Sequence, residues 1–173
     1  MSVRPLLAGL LLAACAVTPA LAQDSLPAAD MVAAVFIGFA DAATVEVMGS
    51  EVATISQTGP GVFGGTVSPG EFTFTVTEPA DCVFEGRFAV GDQAFTAAFN
   101  LAEIDSIRFS EPEAMAGYTR YKVELTGAEG AVETIADDGT RSDAGMTSPI
   151  GTSIPLADLD AAAAALLELC SAE

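Results

Sequence analysis

Between Phe72 and Phe109 the chain carries seven of its ten phenylalanines: Phe72, Phe74, Phe84, Phe88, Phe95, Phe99 and Phe109. Most recur two or four positions apart within short runs, the spacing that puts side chains on one face of a β-strand. In Phe72-Thr73-Phe74-Thr75-Val76-Thr77 the alternation with threonine is strict. Phe84, Phe88 and Val90, then Phe95, Ala97 and Phe99, continue the pattern on either side of Gly91-Asp92. That dipeptide suits a two-residue hairpin connection, where glycine accepts a positive φ. A chain with this pattern has to bury one face of an antiparallel sheet. Strands are expected over 72–78, 83–90 and 93–100, with a turn at Pro79-Ala80-Asp81.

The flanking segments are read against that sheet. Met31, Val35 and Phe39 fall four apart, and Pro27 suits a first helical turn, so a helix is predicted over 27–40. The unbroken apolar run from Val32 to Phe39 keeps a buried strand as the rival reading. Thr44–Val47 and Val52–Ile55 read as a hairpin, and Gln57–Gly70, rich in glycine, as a loop anchored by Val62-Phe63. Ser110–Gly117 reads as a polar loop, and Tyr121, Val123 and Leu125 as one face of a second hairpin. Thr152–Leu156 is expected to form a short last strand, with Pro155 placing it at an edge. Ala157–Ser171 is helical, with Leu159, Ala163, Leu166 and Cys170 on one stripe. Together these predict an α+β fold. Its form is a mainly antiparallel, strongly bent sheet or partial barrel of about six to eight strands, with a C-terminal helix packed on it and an N-terminal helix.

Arg4, the apolar run Leu6–Val17 and Ala20-Leu21-Ala22 are the parts of a secretory signal peptide over 1–22, leaving one domain over 23–173. The apolar run falls short of the roughly 20 residues that cross a bilayer. No later segment is long and apolar enough either, so no membrane insertion is expected. The protein is thus expected to be periplasmic or secreted. Leu12-Ala13-Ala14-Cys15 resembles the lipobox of bacterial lipoproteins, which makes a membrane-anchored lipoprotein acylated at Cys15 the alternative. That reading leaves only Leu6–Leu11 as apolar core, so cleavage after Ala22 is preferred. In an oxidising compartment Cys82 and Cys170 are expected to form a disulfide, which would pin the last helical turn near the central strands. Two buried thiols are the alternative.

The formal charge is −18, from 24 acidic and six basic residues, and the signal peptide holds just one of these, Arg4. A surface this acidic repels nucleic acid, so no nucleic-acid partner is expected. It suits a salty medium, or, on a sharper reading, a cationic partner. Histidine is absent, which removes the commonest general base and metal ligand. No Gly-x-Ser-x-Gly, Ser-x-x-Lys or Cys-x-x-Cys is present, and Gly61-Val62-Phe63-Gly64-Gly65 lacks the spacing of a nucleotide loop. Neither an enzyme nor a cofactor is expected. Asp137, Asp138 and Asp143, with Gly139 among them, are candidate oxygen ligands for a hard cation, but an ordinary hairpin turn explains them better. The layout resembles that of bacterial envelope proteins, a likeness of architecture that implies no activity. The expected function is an exported non-catalytic accessory domain that binds another envelope protein. The alternative is a small apolar-ligand carrier with a Phe-lined pocket between the sheet and the C-terminal helix. A dry cavity on the order of a few hundred Å³ would favour the carrier.

Overall fold

The computed structural model describes residues 26–47, 51–68 and 70–171. The expected signal peptide and Cys15 lie outside the described residues. Helix α1 (Ala28–Ile37) is buried at every position from Asp30 to Phe36. A helix enclosed on all sides is apolar all round, which is why its sequence is also compatible with a buried strand. The helix ends at Gly38, whose φ of 81° is left-handed, and whose N–H donates to the Ala34 carbonyl.

Twelve strands among the described residues form two antiparallel sheets that do not close into a barrel. One sheet contains β1 (Thr44–Val47), β2 (Glu51–Thr54), β8 (Ile104–Ala114), β9 (Thr119–Gly127) and β12 (Thr147–Thr152), in the order β2-β1-β12-β9-β8. The other contains β3 (Ser56–Gly59), β4 (Val62–Val67), β5 (Gly70–Ala80), β6 (Val83–Val90), β7 (Gln93–Asn100), β10 (Val132–Ile135) and β11 (Arg141–Asp143). Its order is β11-β10-β7-β6-β5-β4-β3. The phenylalanine stretch from Phe72 to Phe99 forms the middle of this larger sheet, with Phe74 opposite Phe88, Phe88 opposite Phe95 and Phe84 opposite Phe99, whereas Phe109 falls on β8 of the smaller sheet. The α+β class, the antiparallel pairing and both helices agree with the pattern read from the sequence.

Several local readings are corrected. Gln57–Gly70 is not a loop: it supplies β3 and β4, with Gly64 and Gly65 opposite Thr73 and Phe72. A Cβ on Gly65 would stand 2.7 Å from the Phe72 ring, so the glycine there makes room for an aromatic and does not mark a turn. The segment read as a polar loop over 110–117 continues β8 to Ala114, with a bulge at Glu111-Pro112 where Glu111 adopts a φ of 52°. The last strand is Thr147–Thr152 and sits between β1 and β9, not at an edge. Pro155 lies beyond it, where its carbonyl accepts from Asp158 and Leu159 at the start of helix α2 (Leu156–Ser171). These added strands take the total past the expected six to eight.

Helix α1 is wedged between the two sheets and fastened to each by one buried polar side chain. At its start, Asp30 Oδ1 accepts the Gly61 N–H at 2.6 Å, tying the helix to the β3–β4 turn of the larger sheet. At its end, Thr152 Oγ1 donates to the Gly38 carbonyl at 2.8 Å, tying it to β12 of the smaller one. Asp30 and Thr152 are the two buried polar or charged residues among the described residues. Between these ties the aromatics interlock. Phe36 stacks on Phe99 with centroids 4.3 Å apart, and Phe39 meets Phe63, Phe72 and Phe74 at 5.3–6.3 Å.

The stripe predicted on α2 is present, with Leu159, Ala163 and Leu166 buried. Its partner is different from the one expected. It packs on β8 and α1, not on the phenylalanine face, because α1 already covers that face. Its last turn still reaches the start of β6, where the Cys82 and Cys170 sulfurs stand at disulfide distance, 2.08 Å, with Cα atoms 5.6 Å apart. No helix among the described residues is long and apolar enough to cross a membrane.

Two stability tests follow from this packing. Thr152→Val keeps the shape but leaves the Gly38 carbonyl and the Ile154 N–H unpaired, since both bond Thr152 Oγ1. It should cost about 1–3 kcal/mol in denaturant unfolding. Cys170→Ser opens a link spanning 88 residues and should cost about 2–5 kcal/mol. Hydrogen exchange in that variant should rise first in the last turn of α2, with the β5–β7 amides still protected.

Candidate functional site

Strands β1 and β12 pair at a single register position, Val45 with Thr152. Beside this pair lies a half-open slot of about 530 Å³ that reaches Phe36 and Ile37 of the central helix. Glu46, Arg120, Pro149, Ile150 and Gly151 complete its walls. Ile37 and Glu46 also border a second hollow of about 220 Å³. This second hollow, half open to solvent, is almost wholly apolar and is bordered by Phe39, Phe74, Phe88, Phe95, Val47 and Ala97.

The sequence folds this way for traceable reasons. Gly86 faces inward between Phe84 and Phe88, and a Cβ there would stand 2.8 Å from the Phe74 ring. Its bare backbone gives that ring its place on the chamber floor. Phe95 shares the inner face with Ala97 and Phe99, both buried, yet it is 51% exposed. The β6–β7 hairpin extends past the reach of α1, so its last aromatic is left at the mouth. The alternation assigned Phe95 to the inner face but not its exposure, which depends on where the helix ends.

Glu46 and Arg120 close the slot from either side of β12. Arg120 Nε and Nη2 donate to the two Glu46 oxygens at 2.9 and 2.7 Å, and Nη1 donates to Glu113 at 3.1 Å. The strand between them contributes Gly151, which stands opposite Arg120. A Cβ at Gly151 would lie 2.7 Å from the Glu46 Cβ and 2.9 Å from the Tyr118 ring, so the ion pair passes over this strand because the strand has no side chain there. The Glu46 side chain is only 11% exposed. The bidentate bond from Arg120 holds its carboxyl below the usual glutamate range, against the opposing effect of burial. Arg120 is held correspondingly firmly in its charged form, first by the Glu46 hydrogen bonds. A carboxylate so held is a weak proton acceptor, which suits it to shaping a site and not to base catalysis.

The candidate cation ligands have other partners. Asp138 Oδ1 accepts the Thr140 N–H at 2.9 Å, and Asp143 Oδ1 accepts the Gly145 N–H at 2.8 Å, each bracing its own turn. Asp137 is exposed on the same β10–β11 connection. No group of three or more Cys, Asp or Glu suited to holding a metal ion occurs among the described residues. Cys82 and Cys170 lie together at the opposite end of α2 from its start, away from the residues that line the cleft. Sequence reasoning passed over Glu46 and Arg120, 74 positions apart. The available signal was slight: an acid between Val45 and Val47 and a base before Tyr121, each on the outer face of an amphipathic strand. Comparison of the chain with protein-family models, curated proteins and solved structures yields no match.

The Glu46 pair has a defined pH signature. Its folded pKa is depressed, so its contribution to stability is complete above the unfolded glutamate value of about 4.3 and is lost as pH falls through the folded value. Glu46→Gln should therefore lower the denaturant midpoint at neutral pH. Its deficit relative to the parent should shrink in acid, and a deficit that stays constant down to the acid transition would contradict this account. Gly151→Ala should reproduce the neutral-pH loss without removing either charge.

Proposed function

We propose that the protein is an exported, non-catalytic binding domain, periplasmic or secreted, whose Phe-lined cleft takes a small apolar ligand. The supporting observation is the half-open hollow of about 220 Å³, almost wholly apolar in its lining and bordered by the half-exposed Phe95. Cavities of about 150 Å³ lined by such side chains hold a benzene ring, so a chamber of this size suits a ring or short branched chain. The disulfide-distance cysteine pair supports an oxidising compartment. Histidine, the commonest proton-transfer group, is absent from the chain, and Glu46 and Arg120 are committed to each other, which supports binding over turnover.

Exposure of Phe95 also favours a second reading, in which the occupant is an apolar side chain of another envelope protein. Titration of the isotope-labelled protein with toluene or indole separates the two. Carrier function predicts saturable shifts confined to Ile37, Val47, Phe95 and Ala97, weakened about tenfold by Phe95→Ala. Because the Phe95 ring is half exposed, that variant should keep its thermal midpoint within a few degrees. Absence of saturable shifts, together with a partner captured by the parent and lost by Phe95→Ala, would support the second reading instead.

A further inference from the structure

We infer that the ligand of this cleft is a small organic ammonium cation; the inference rests on the binding reading above and adds the charge of the ligand to it. The argument begins with what an anion would find. The slot is lined by one basic side chain, Arg120, and that guanidinium already serves two carboxylates, Glu46 and Glu113. Lys122, next along the same face and opposite Pro149 of the slot wall, likewise carries two, Glu111 at 3.6 Å and Glu124 at 2.8 Å. Each cluster therefore holds two negative charges against one positive. A carboxylate ligand would have to displace Glu46 from Arg120, leaving a nearly buried carboxylate without its partner, which is strongly unfavourable.

A cation meets the opposite conditions. Glu46 is the acidic residue that borders both hollows. Each oxygen accepts one bond from Arg120 and retains further acceptor capacity. Beside it Phe88 and the half-exposed Phe95 offer ring surface, with Phe39 and Phe74 buried beneath them, and aromatic faces attract alkylammonium groups while accommodating their methyl groups as apolar surface. The formal charge of −18 adds a field that draws cations toward the protein. Volume is consistent too, since 220 Å³ admits a trimethylammonium group and a short tail.

The test uses three molecules of nearly the same shape: choline, the uncharged isostere 3,3-dimethylbutan-1-ol, and the anion 3,3-dimethylbutanoate. Each is titrated into the labelled full domain at low salt, with the amide and methyl signals of Ile37, Glu46, Val47, Phe95 and Ala97 followed. Choline should bind on the order of fivefold more tightly than the alcohol, and the anion most weakly. The preference for choline should shrink in high salt. Glu46→Gln should weaken choline more than it weakens the alcohol. If the alcohol binds as tightly as choline at these residues, the ligand is not selected by charge and the inference is overturned, while the apolar-ligand reading stands. Tightest binding by the anion overturns it as well. If none of the three shifts these residues, the ammonium inference and the small-ligand reading fail together.

Discussion

The arrangement depends on a short apolar helix held between two sheets by its own ends. A helix buried on every side presents an acute backbone problem at its termini, where N–H and carbonyl groups lose their helical partners. Here the C-terminal end is satisfied by the left-handed turn at Gly38 and by the Thr152 hydroxyl, while the acidic Asp30 sits in the first turn and reaches across to Gly61. These contacts set the helix at one depth between the sheets. That depth decides which phenylalanines are covered and which, like Phe95, are left at an opening. The cleft is thus a by-product of how far the helix extends.

Glycine has a related part in three places. At Gly65 and Gly86 the missing side chain is replaced by a phenylalanine ring from the neighbouring strand, and at Gly151 by an ion pair drawn from the strands on both sides. Each is a strand interior, where glycine ordinarily weakens a sheet. In each case the vacated space is filled by a contact between residues that are distant in the chain. The residues that look least informative on paper are those through which the sheet faces are organised.

The contrast bears on what could be read from the chain alone. Period-two alternation at Phe72–Thr77 and Phe84–Val90, and the stripe from Leu159 to Cys170, depend on local geometry, and they identify the central sheet and the final helix, while the cysteine pair, expected from the compartment, stands at disulfide distance. The glycine-rich segment 57–70 was misread because glycine was taken for a turn signal when it was serving a neighbour's aromatic ring. The placement of β12 between β1 and β9 depends on which strands meet, and no periodicity within 147–152 carries that information. The cleft shows both sides of this. Its phenylalanines were legible as an inward-facing set, whereas the Glu46–Arg120 closure depends on three strands being adjacent and was not.

The bulge at Glu111-Pro112 has a consequence for how this molecule can meet others. Among the described residues, β8 is the one long strand that ends a sheet; the other three terminal strands, β2, β3 and β11, have four residues or fewer. A long free strand edge is an open template onto which another chain can add by backbone pairing. In β8 that template is interrupted by a proline, which has no N–H to offer, and by a local kink at Glu111. The molecule is therefore guarded against ladder-by-ladder growth into aggregates. Backbone pairing by another chain along the full length of this edge is thereby disfavoured.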